Sequence, residues 1–175
     1  MGIARGIDSI CGEQPLIILG IDPGYARMGW GVIKVGVSGV ECLGFGCVET
    51  PKDEEMGTRL AYLNDALTQI IGHYRPTDIA VEQLFFAKNV STAMLVAHAR
   101  GVIMMRASMH TGRVFEYRPN VIKLATACDA KADKKAMMAA VTNLLGFDKA
   151  PKLDDAADAL AVAITHASQV QVPPQ

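Results

Sequence analysis

Two acidic residues follow short apolar segments at places where a β-strand would end. Asp22 closes an apolar run and is followed by Pro23 and Gly24, which stop the strand ladder and permit a tight turn. Glu82 closes a second apolar run, residues 77–82, in the same way. If the two strands are neighbours, their ends lie about 5 Å apart and the two carboxylates share one patch. Like charges so close are unfavourable unless one is protonated or a cation binds.

A second pair of acids, Asp155 and Asp158, lies near the start of a predicted helix. Their spacing of three residues places both on one face of the first turn. An apolar helix packed on the sheet would direct this face toward the strand ends, so four carboxylates would converge. Carboxylate oxygens suit hard cations such as Mg²⁺ or Mn²⁺ better than zinc. Two such ions about 4 Å apart activate a water and stabilise the leaving oxygen in phosphodiester hydrolysis.

Each acid also has a purely structural interpretation. Asp154, Asp155 and Asp158 would favour a helix N-terminus by capping and by interaction with the helix dipole. Asp22 would cap a turn, and Glu82 would be a surface acid at a strand end. The pattern favours a shared metal site because four independent coincidences in these contexts are less expected than one common role.

The apolar pattern predicts an α/β, ribonuclease H-like fold: a five-stranded mixed sheet with helices on both faces. Strands over 16–22, 29–35 and 40–50 are joined by short glycine-containing turns and form an antiparallel meander. Strands 77–82 and 114–117 each follow a helix, which predicts that they run parallel to the first strand. Helical segments are predicted over 51–74, 91–110, 119–126, 133–145 and 154–168.

The chain is expected to form one domain over 16–168, with a loose extension at 1–15 and a tail at 169–175. No apolar run reaches the roughly 18 residues of a membrane span, and acids in the extension argue against a secretory signal. The four cysteines form no C-x-x-C pair, which favours a reduced, cytoplasmic protein with incidental thiols over a zinc or disulfide protein.

Charge is distributed unevenly along the chain, although the net charge is only −1. Between residues 82 and 152 there are eleven Lys or Arg against five acids, so this segment is basic and the remainder is acidic. Such an asymmetry indicates a surface that faces a polyanion. Helices that merely carry solvated basic side chains would produce the same count.

An ordered series of motifs over about residues 16–167 resembles the RuvC-type Holliday junction resolvases. The first motif alone also occurs in actin-like ATPases, which this chain is too short to match because they need two such domains. The motifs are Gly20-Ile21-Asp22-Pro23-Gly24, Ala80-Val81-Glu82-Gln83, Phe86-Ala87-Lys88-Asn89, Ala99-Arg100-Gly101, Phe115-Glu116-Tyr117 and Asp155-Ala156-Ala157-Asp158-Ala159-Leu160-Ala161 through Thr165-His166.

The resemblance implies a homodimeric, Mg²⁺-dependent endonuclease that resolves four-way DNA junctions by paired nicks, beside a branch-migration helicase complex. The family's four catalytic acids, which also hold the metal, fall on the four acids singled out above: Asp22, Glu82, Asp155 and Asp158. The long Met-rich helix over 91–110 is a candidate for part of the dimer interface. Its alternative role is that of an ordinary core helix.

The resemblance also implies a set of DNA contacts. The aromatic residue that stacks at the opened junction falls on Phe85, and basic residues near the scissile phosphates fall on Lys123 and Lys134, the latter also catalytic. Without the resemblance, Phe85 would be interpreted as a packing residue and each lysine as solvated. The further predicted DNA-binding lysines are Lys88, Lys131 and Lys135.

One stretch departs from the family pattern. The family usually has G-x-G-x-A-x-K before the second active-site lysine, whereas this chain has Cys128-Asp129-Ala130-Lys131-Ala132-Asp133-Lys134. Both glycines are replaced, which places close backbone approach to DNA in question. Either Lys131 and Lys135 compensate, or the DNA lies differently.

Two other functions stay open from the sequence. A ribonuclease H-like nuclease acting on RNA would share the four acids. A non-catalytic nucleic-acid-binding relative would keep the basic helices and lose one or more acids. The presence of all four acids disfavours the second alternative.

Overall fold

The computed structural model describes residues 15–37, 39–83, 90–110 and 113–170, with side chains in the third range from Ala93 onward. Within these residues a five-stranded sheet has the spatial order β3-β2-β1-β4-β5. The first three strands are antiparallel neighbours, whereas β4 runs parallel to β1 and β5 parallel to β4. The predicted mixed, ribonuclease H-like sheet is therefore confirmed. The strands are β1 (Leu16–Asp22), β2 (Arg27–Gly36), β3 (Gly39–Glu49), β4 (Asp78–Glu82) and β5 (Val114–Tyr117).

Helices cover both faces of the sheet, as predicted. They are α1 (Met56–Tyr74), α2 (Val90–His110), α3 (Pro119–Ala127), α4 (Lys134–Leu144) and α5 (Asp154–Val170). The first two pack on one face and the other three on the opposite face. Helix α1 begins at Met56 because residues 51–55 form a turn, and α5 continues to Val170, two residues into the predicted tail.

The central strand β1 contributes to two separate cores. Ile18 packs against α5 and its neighbours, whereas Leu19 and Ile21 pack against α1 and α2. Burial on both faces explains why this strand is apolar throughout instead of alternating. Because side chains alternate along a strand, Asp22 lies on the α5 face, next in line after Ile18 and Gly20.

Helix α5 lies against the sheet with most of its residues buried. Glycines on the strands permit this approach. A Cβ at Gly20 would overlap the carbonyl oxygen of Ala159, and a Cβ at Gly29 would overlap the backbone of Asp155. The absence of side chains at these two positions therefore sets how closely the first turns of α5, which carry its acids, approach β1 and β2.

A buried polar network anchors the opposite end of α5. Nε2 of His166 lies 2.8 Å from Oδ2 of Asp78, and the Tyr117 hydroxyl lies 2.7 Å from Nδ1 of the same ring. Nη2 of Arg113 also donates to Oδ2 of Asp78 at 3.0 Å, and its Nε lies 2.8 Å from Oδ1. With a carboxylate oxygen accepting from Nε2–H of His166, the Nδ1 atom of the ring accepts a hydrogen bond from the Tyr117 hydroxyl. The network ties α5 to the start of β4 and the end of β5.

Two of the motifs that carry the family resemblance contact each other. Arg100 of α2 forms an ion pair with Glu116 of β5. The pair joins a helix on one face of the sheet to the edge strand, so these motif residues have a structural role.

No helix within the described ranges is both long and apolar enough to cross a lipid bilayer. Three of the four cysteines lie in the described part of the chain, where Cys42, Cys47 and Cys128 are free thiols.

Candidate active site

Asp22 and Glu82 lie side by side at the ends of the parallel strands β1 and β4. The register pairs Ile21 with Val81, so the next residue on each strand is one of these acids. The two carboxyl groups are close enough for each to affect the pKa of the other. Burial, followed by the charge of Glu82, raises the pKa of Asp22 to about 8. Burial and the charge of Asp158 raise the pKa of Glu82 to about 7.

Asp158 joins this pair from the first turns of α5. Together with Glu82 it lines a cleft of about 290 Å³ that also contains Lys123 of α3 and Lys134 of α4. Burial raises the pKa of Asp158, whereas the charges of Lys134 and Lys123 lower it. The structure therefore brings α5 to the strand ends, and two predicted basic residues lie around the same cleft.

Asp155 lies at the edge of this group and bonds in a different direction. Its Oδ2 is 2.7 Å from Nη2 of Arg27 and 3.7 Å from the Cys47 sulfur, whose thiol donates to it. Arg27 and Cys47 belong to β2 and β3, so they hold the carboxylate on the side away from β4. Its charge still raises the pKa of Asp22. Neither contact residue carries a signal in the sequence, because each becomes a partner of Asp155 only when α5 packs across β2.

Lys134 is held by an acid outside the predicted catalytic set. Its Nζ lies 2.9 Å from Oδ2 of Asp154, and this hydrogen bond is the main cause of a raised pKa for the ammonium group. The charges of Asp158 and Asp155 act in the same direction. Asp154, which had only a helix-capping interpretation from the sequence, therefore positions the lysine at the mouth of the cleft.

The sequence matches, over residues 18–166, a family model described as crossover junction endodeoxyribonuclease RuvC. This chain belongs to the RuvC family. The RuvC of Alkaliphilus oremlandii is 44% identical over 152 residues, which cover 87% of this chain and 93% of that relative. The RuvC of Rubrobacter xylanophilus is 45% identical over 151 residues, which cover 86% and 84%.

The fold is also similar to that of a solved RuvC. The structure described as Thermus thermophilus RuvC in complex with Holliday junction substrate superposes with a TM-score of 0.82 at 32% identity. The match covers 89% of this chain and 95% of that one. The family resemblance inferred from the motifs is confirmed by both comparisons.

The remaining DNA-binding residues predicted from the RuvC resemblance have different positions relative to the cleft. Lys135 lines a neighbouring cavity of about 530 Å³, together with Lys134 and Asp154. Lys131 is exposed in the loop before α4 and does not line either cavity. Phe85 and Lys88 lie outside the described residues, so their predicted roles stay predictions.

In the stretch that departs from the RuvC pattern, the first of the two positions where that pattern has glycine keeps the backbone shape that glycine would favour. Cys128 has a left-handed conformation, with φ of 57° and ψ of 17°. The two acids in the stretch have local structural roles: Asp129 accepts a hydrogen bond from the Lys131 backbone at 2.8 Å, and Asp133 caps α4 by accepting from Ala136 at 2.8 Å. Cys128 therefore differs from the family's glycine in residue type but has the left-handed backbone conformation that glycine favours.

The donor types at this RuvC site fit a hard divalent cation. Asp22, Glu82, Asp155 and Asp158 offer only carboxylate oxygens, the ligands that such cations prefer. Burial, followed by the charges of the neighbouring carboxylates, raises the pKa of Asp22, Glu82 and Asp158, and a bound cation would lower it. Among the described residues, no three acidic, histidine or cysteine side chains are already gathered as a metal site. The contact of Asp155 with Arg27 directs one of the four carboxylates away.

Proposed function

We propose that this chain is an endonuclease that resolves four-way DNA junctions by paired, symmetric nicks. One observation carries the proposal. In a chain of the RuvC family, Glu82 and Asp158 line a cleft bordered by Lys123 and Lys134, and Asp22 lies beside Glu82. A relative with the same fold was solved with a Holliday junction substrate, which supports DNA junctions as the substrate class.

The four carboxylates of Asp22, Glu82, Asp155 and Asp158 are proposed to hold divalent cations, with Mg²⁺ preferred, Mn²⁺ accepted and two ions per site. Such ions, when bound, activate a water for attack on the phosphodiester and stabilise the leaving 3′-oxygen, which gives 5′-phosphate and 3′-hydroxyl ends. Because the pKa values of Asp22 and Glu82 are raised to about 8 and about 7, protons must leave before both groups can act as ligands. Metal affinity should therefore rise with pH.

The basic residues around the cleft are proposed to act on the phosphate. Lys134 and Lys123 lie on the same side of the acids, where their charges would stabilise the anionic phosphate during attack. Asp154 orients Lys134 for this role. The proposed wider DNA contacts are Phe85, Lys88, Lys131 and Lys135.

Paired nicks require two sites related by twofold symmetry, so a homodimer is proposed. Helix α2 supports it: Ala99, Ile103 and Ala107 pack into the core, while Met94 and Met105 are 60% and 55% exposed. The helix is therefore a core helix on one face and an exposed Met-rich surface on another. A cytoplasmic role beside a branch-migration helicase complex follows from family membership and belongs to the same proposal.

The decisive experiment is cleavage of a synthetic four-way junction, with and without Mg²⁺. Wild type is expected to nick opposing strands only with the metal, and Asp22→Asn to bind the junction without nicking it, with a loss of at least about a hundredfold in rate. Linear duplex of the same sequence is the substrate control. Equal cleavage of junction and duplex would contradict junction resolution, and full activity of Asp22→Asn would remove that residue from the mechanism.

The same assay separates the remaining alternatives. Family membership favours DNA, so an RNA strand or an RNA–DNA hybrid is expected to be cleaved poorly. Preferred cleavage of RNA would support the ribonuclease alternative, and binding without cleavage by wild type in Mg²⁺ would support the non-catalytic one.

A further inference from the structure

Among the described residues, Arg27 is the closest cation to any of the four proposed metal-binding acids. The 2.7 Å contact between its Nη2 and Oδ2 of Asp155 is a charge-assisted hydrogen bond. This contact occupies Oδ2 of Asp155, the acid whose carboxylate points away from Asp22 and Glu82. A guanidinium in this position does for Asp155 what a bound cation would do: it neutralises a carboxylate whose charge acts on the neighbouring acids.

In the metal-free chain, the repulsion among the four carboxylates is reduced in three different ways. Asp22 and Glu82 are buried side by side, and burial, followed by nearby carboxylate charge, raises the pKa of both and favours their neutral form. Asp158 faces the two lysines of the cleft. Asp155 alone is compensated by an arginine, and this compensation directs the carboxylate away from the others.

The ion pair between Arg27 and Asp155 lies where it can break. The Arg27 side chain is 45% exposed and that of Asp155 is 27% exposed, so water reaches both partners. Arg27 also has a second acidic neighbour, because its Nε lies 3.6 Å from Oε1 of the exposed Glu49. When Asp155 turns away, the guanidinium keeps one acidic neighbour and remains hydrated, so release costs little.

We propose that Arg27 is an internal counter-ion that competes with the divalent cation for Asp155. The inference rests on the proposed metal site and adds to it a positioning residue that touches neither substrate nor metal. Arg27 holds Asp155 on the β2 side when no cation is bound, and metal binding must displace it. Removing the guanidinium should therefore tighten metal binding instead of weakening it.

The test is direct titration of metal-free protein with Mn²⁺, in which free Mn²⁺ is measured by electron paramagnetic resonance. Arg27→Gln is expected to lower the Mn²⁺ dissociation constant about three- to tenfold, the range for a partly exposed charge-assisted contact. Arg59→Gln is the matched control. Arg59 lies nearby, its guanidinium stacks over the Tyr25 ring at 4.1 Å and donates to Thr50, and none of its described side-chain contacts is with a carboxylate. The Arg59→Gln substitution should change the Mn²⁺ dissociation constant less than twofold.

A double-mutant cycle distinguishes this specific contact from a general effect of removing positive charge. In an Asp155→Asn background the carboxylate that Arg27 holds is gone, so adding Arg27→Gln should change Mn²⁺ affinity less than twofold. If Arg27→Gln still increased Mn²⁺ affinity in the Asp155→Asn background, Arg27 would act only through its long-range electrostatic field. That result would overturn the proposal. Circular dichroism spectra of all variants establish that the fold is retained.

The other outcomes are equally decisive. Wild-type or weaker Mn²⁺ affinity in Arg27→Gln would overturn the competition while leaving the metal site intact. Absence of Mn²⁺ binding by wild type would overturn both the competition and the metal-dependent function proposed above.

Discussion

The position, burial and charged neighbours of Asp22 all act on its pKa in the same direction. It stands at the end of a strand buried on both faces, beside a second carboxylate, and its pKa is raised to about 8. In the chain by itself this acid destabilises the fold whenever it is ionised. That cost is the expected property of a site whose ligands are placed before a cation arrives.

Asp22→Asn should raise the stability of the metal-free protein, and the gain should grow with pH. Because the folded pKa is about 8 against an ordinary 3.8, the folded chain binds the extra proton, and wild-type stability falls as pH rises through this interval. Asparagine does not ionise, so the gain in stability should be absent near the ordinary pKa and reach several kcal/mol near the raised one. Thermal unfolding in a chelator at acidic and at alkaline pH measures it. An equal gain in stability at both pH values would contradict a raised pKa for Asp22.

Cys128 is a second residue whose environment has an energetic consequence. A side chain in the left-handed region costs roughly 1–2 kcal/mol, and glycine avoids that cost but has more freedom in the unfolded chain. Cys128→Gly is therefore expected to stabilise the protein by about 0.5–1 kcal/mol. Cys128→Ala, which removes the thiol and keeps the Cβ, is the control and should gain little. Chemical denaturation of the three proteins compares them, and a larger gain from alanine would refute this explanation.

At the scale of elements, the seating of α5 decides where the acids lie. Its first turns rest on Gly29 of β2 and its middle on Gly20 of β1. Its far end is tied to Asp78 and Tyr117 through His166. A helix restrained at both ends keeps Asp155 and Asp158 at fixed positions relative to Glu82, as a site of converging ligands needs.

Gly29→Ala tests this seating. The added Cβ would overlap the backbone of Asp155, so α5 must shift, and a loss of about 2–4 kcal/mol in the free energy of unfolding is expected. Gly72→Ala is the matched control, because Gly72 lies in α1 where an added Cβ would enter open space. That change should be neutral or stabilising by up to about 1 kcal/mol. Urea unfolding measures both, and similar values for the two variants would rule out the close approach as the cause.

At the scale of the whole molecule, the proposed catalytic cleft and the proposed dimer surface lie on elements of opposite faces of the sheet. The cleft involves α3, α4 and α5, whereas the exposed methionines Met94, Met105 and Met109 belong to α2. Their spacing places them within one stripe of the helix, opposite the buried Ala99 and Ile103. This separation would let two copies associate through α2 while both clefts stay open to DNA.

Met105→Glu is expected to weaken the proposed dimer, because it places a charge in an apolar contact, and to shift the protein toward monomer by about tenfold or more in dissociation constant. Val37→Glu is the control, since Val37 is fully exposed in the turn between β2 and β3. Sedimentation equilibrium of both variants and wild type measures the association. A monomeric wild type at working concentration would undercut the paired-nick model.

The fold could be predicted largely from local patterns. The antiparallel meander followed from its short turns, and the parallel direction of β4 and β5 followed from the helices before them. The order of the five strands was not predicted and comes from the structure. Strand and helix ends differed from the predicted bounds by a few residues, most at α1, where turn residues after Pro51 precede the first helical residue. The proximity of Asp22 and Glu82 also followed, because ends of neighbouring parallel strands meet at one edge.

What the sequence determined by itself was the set of acids, their places at strand and helix ends, and the family to which the motifs belong. Only the tertiary structure decided what each acid contacts. Asp155 meets Cys47 across 108 residues of chain, and His166 meets Asp78 across 88. Such contacts arise from how α5 packs across the sheet, and no local propensity encodes them. Strand alternation and helix spacing thus specify which side chains face the site, while packing decides whether Asp155 faces the other acids or Arg27.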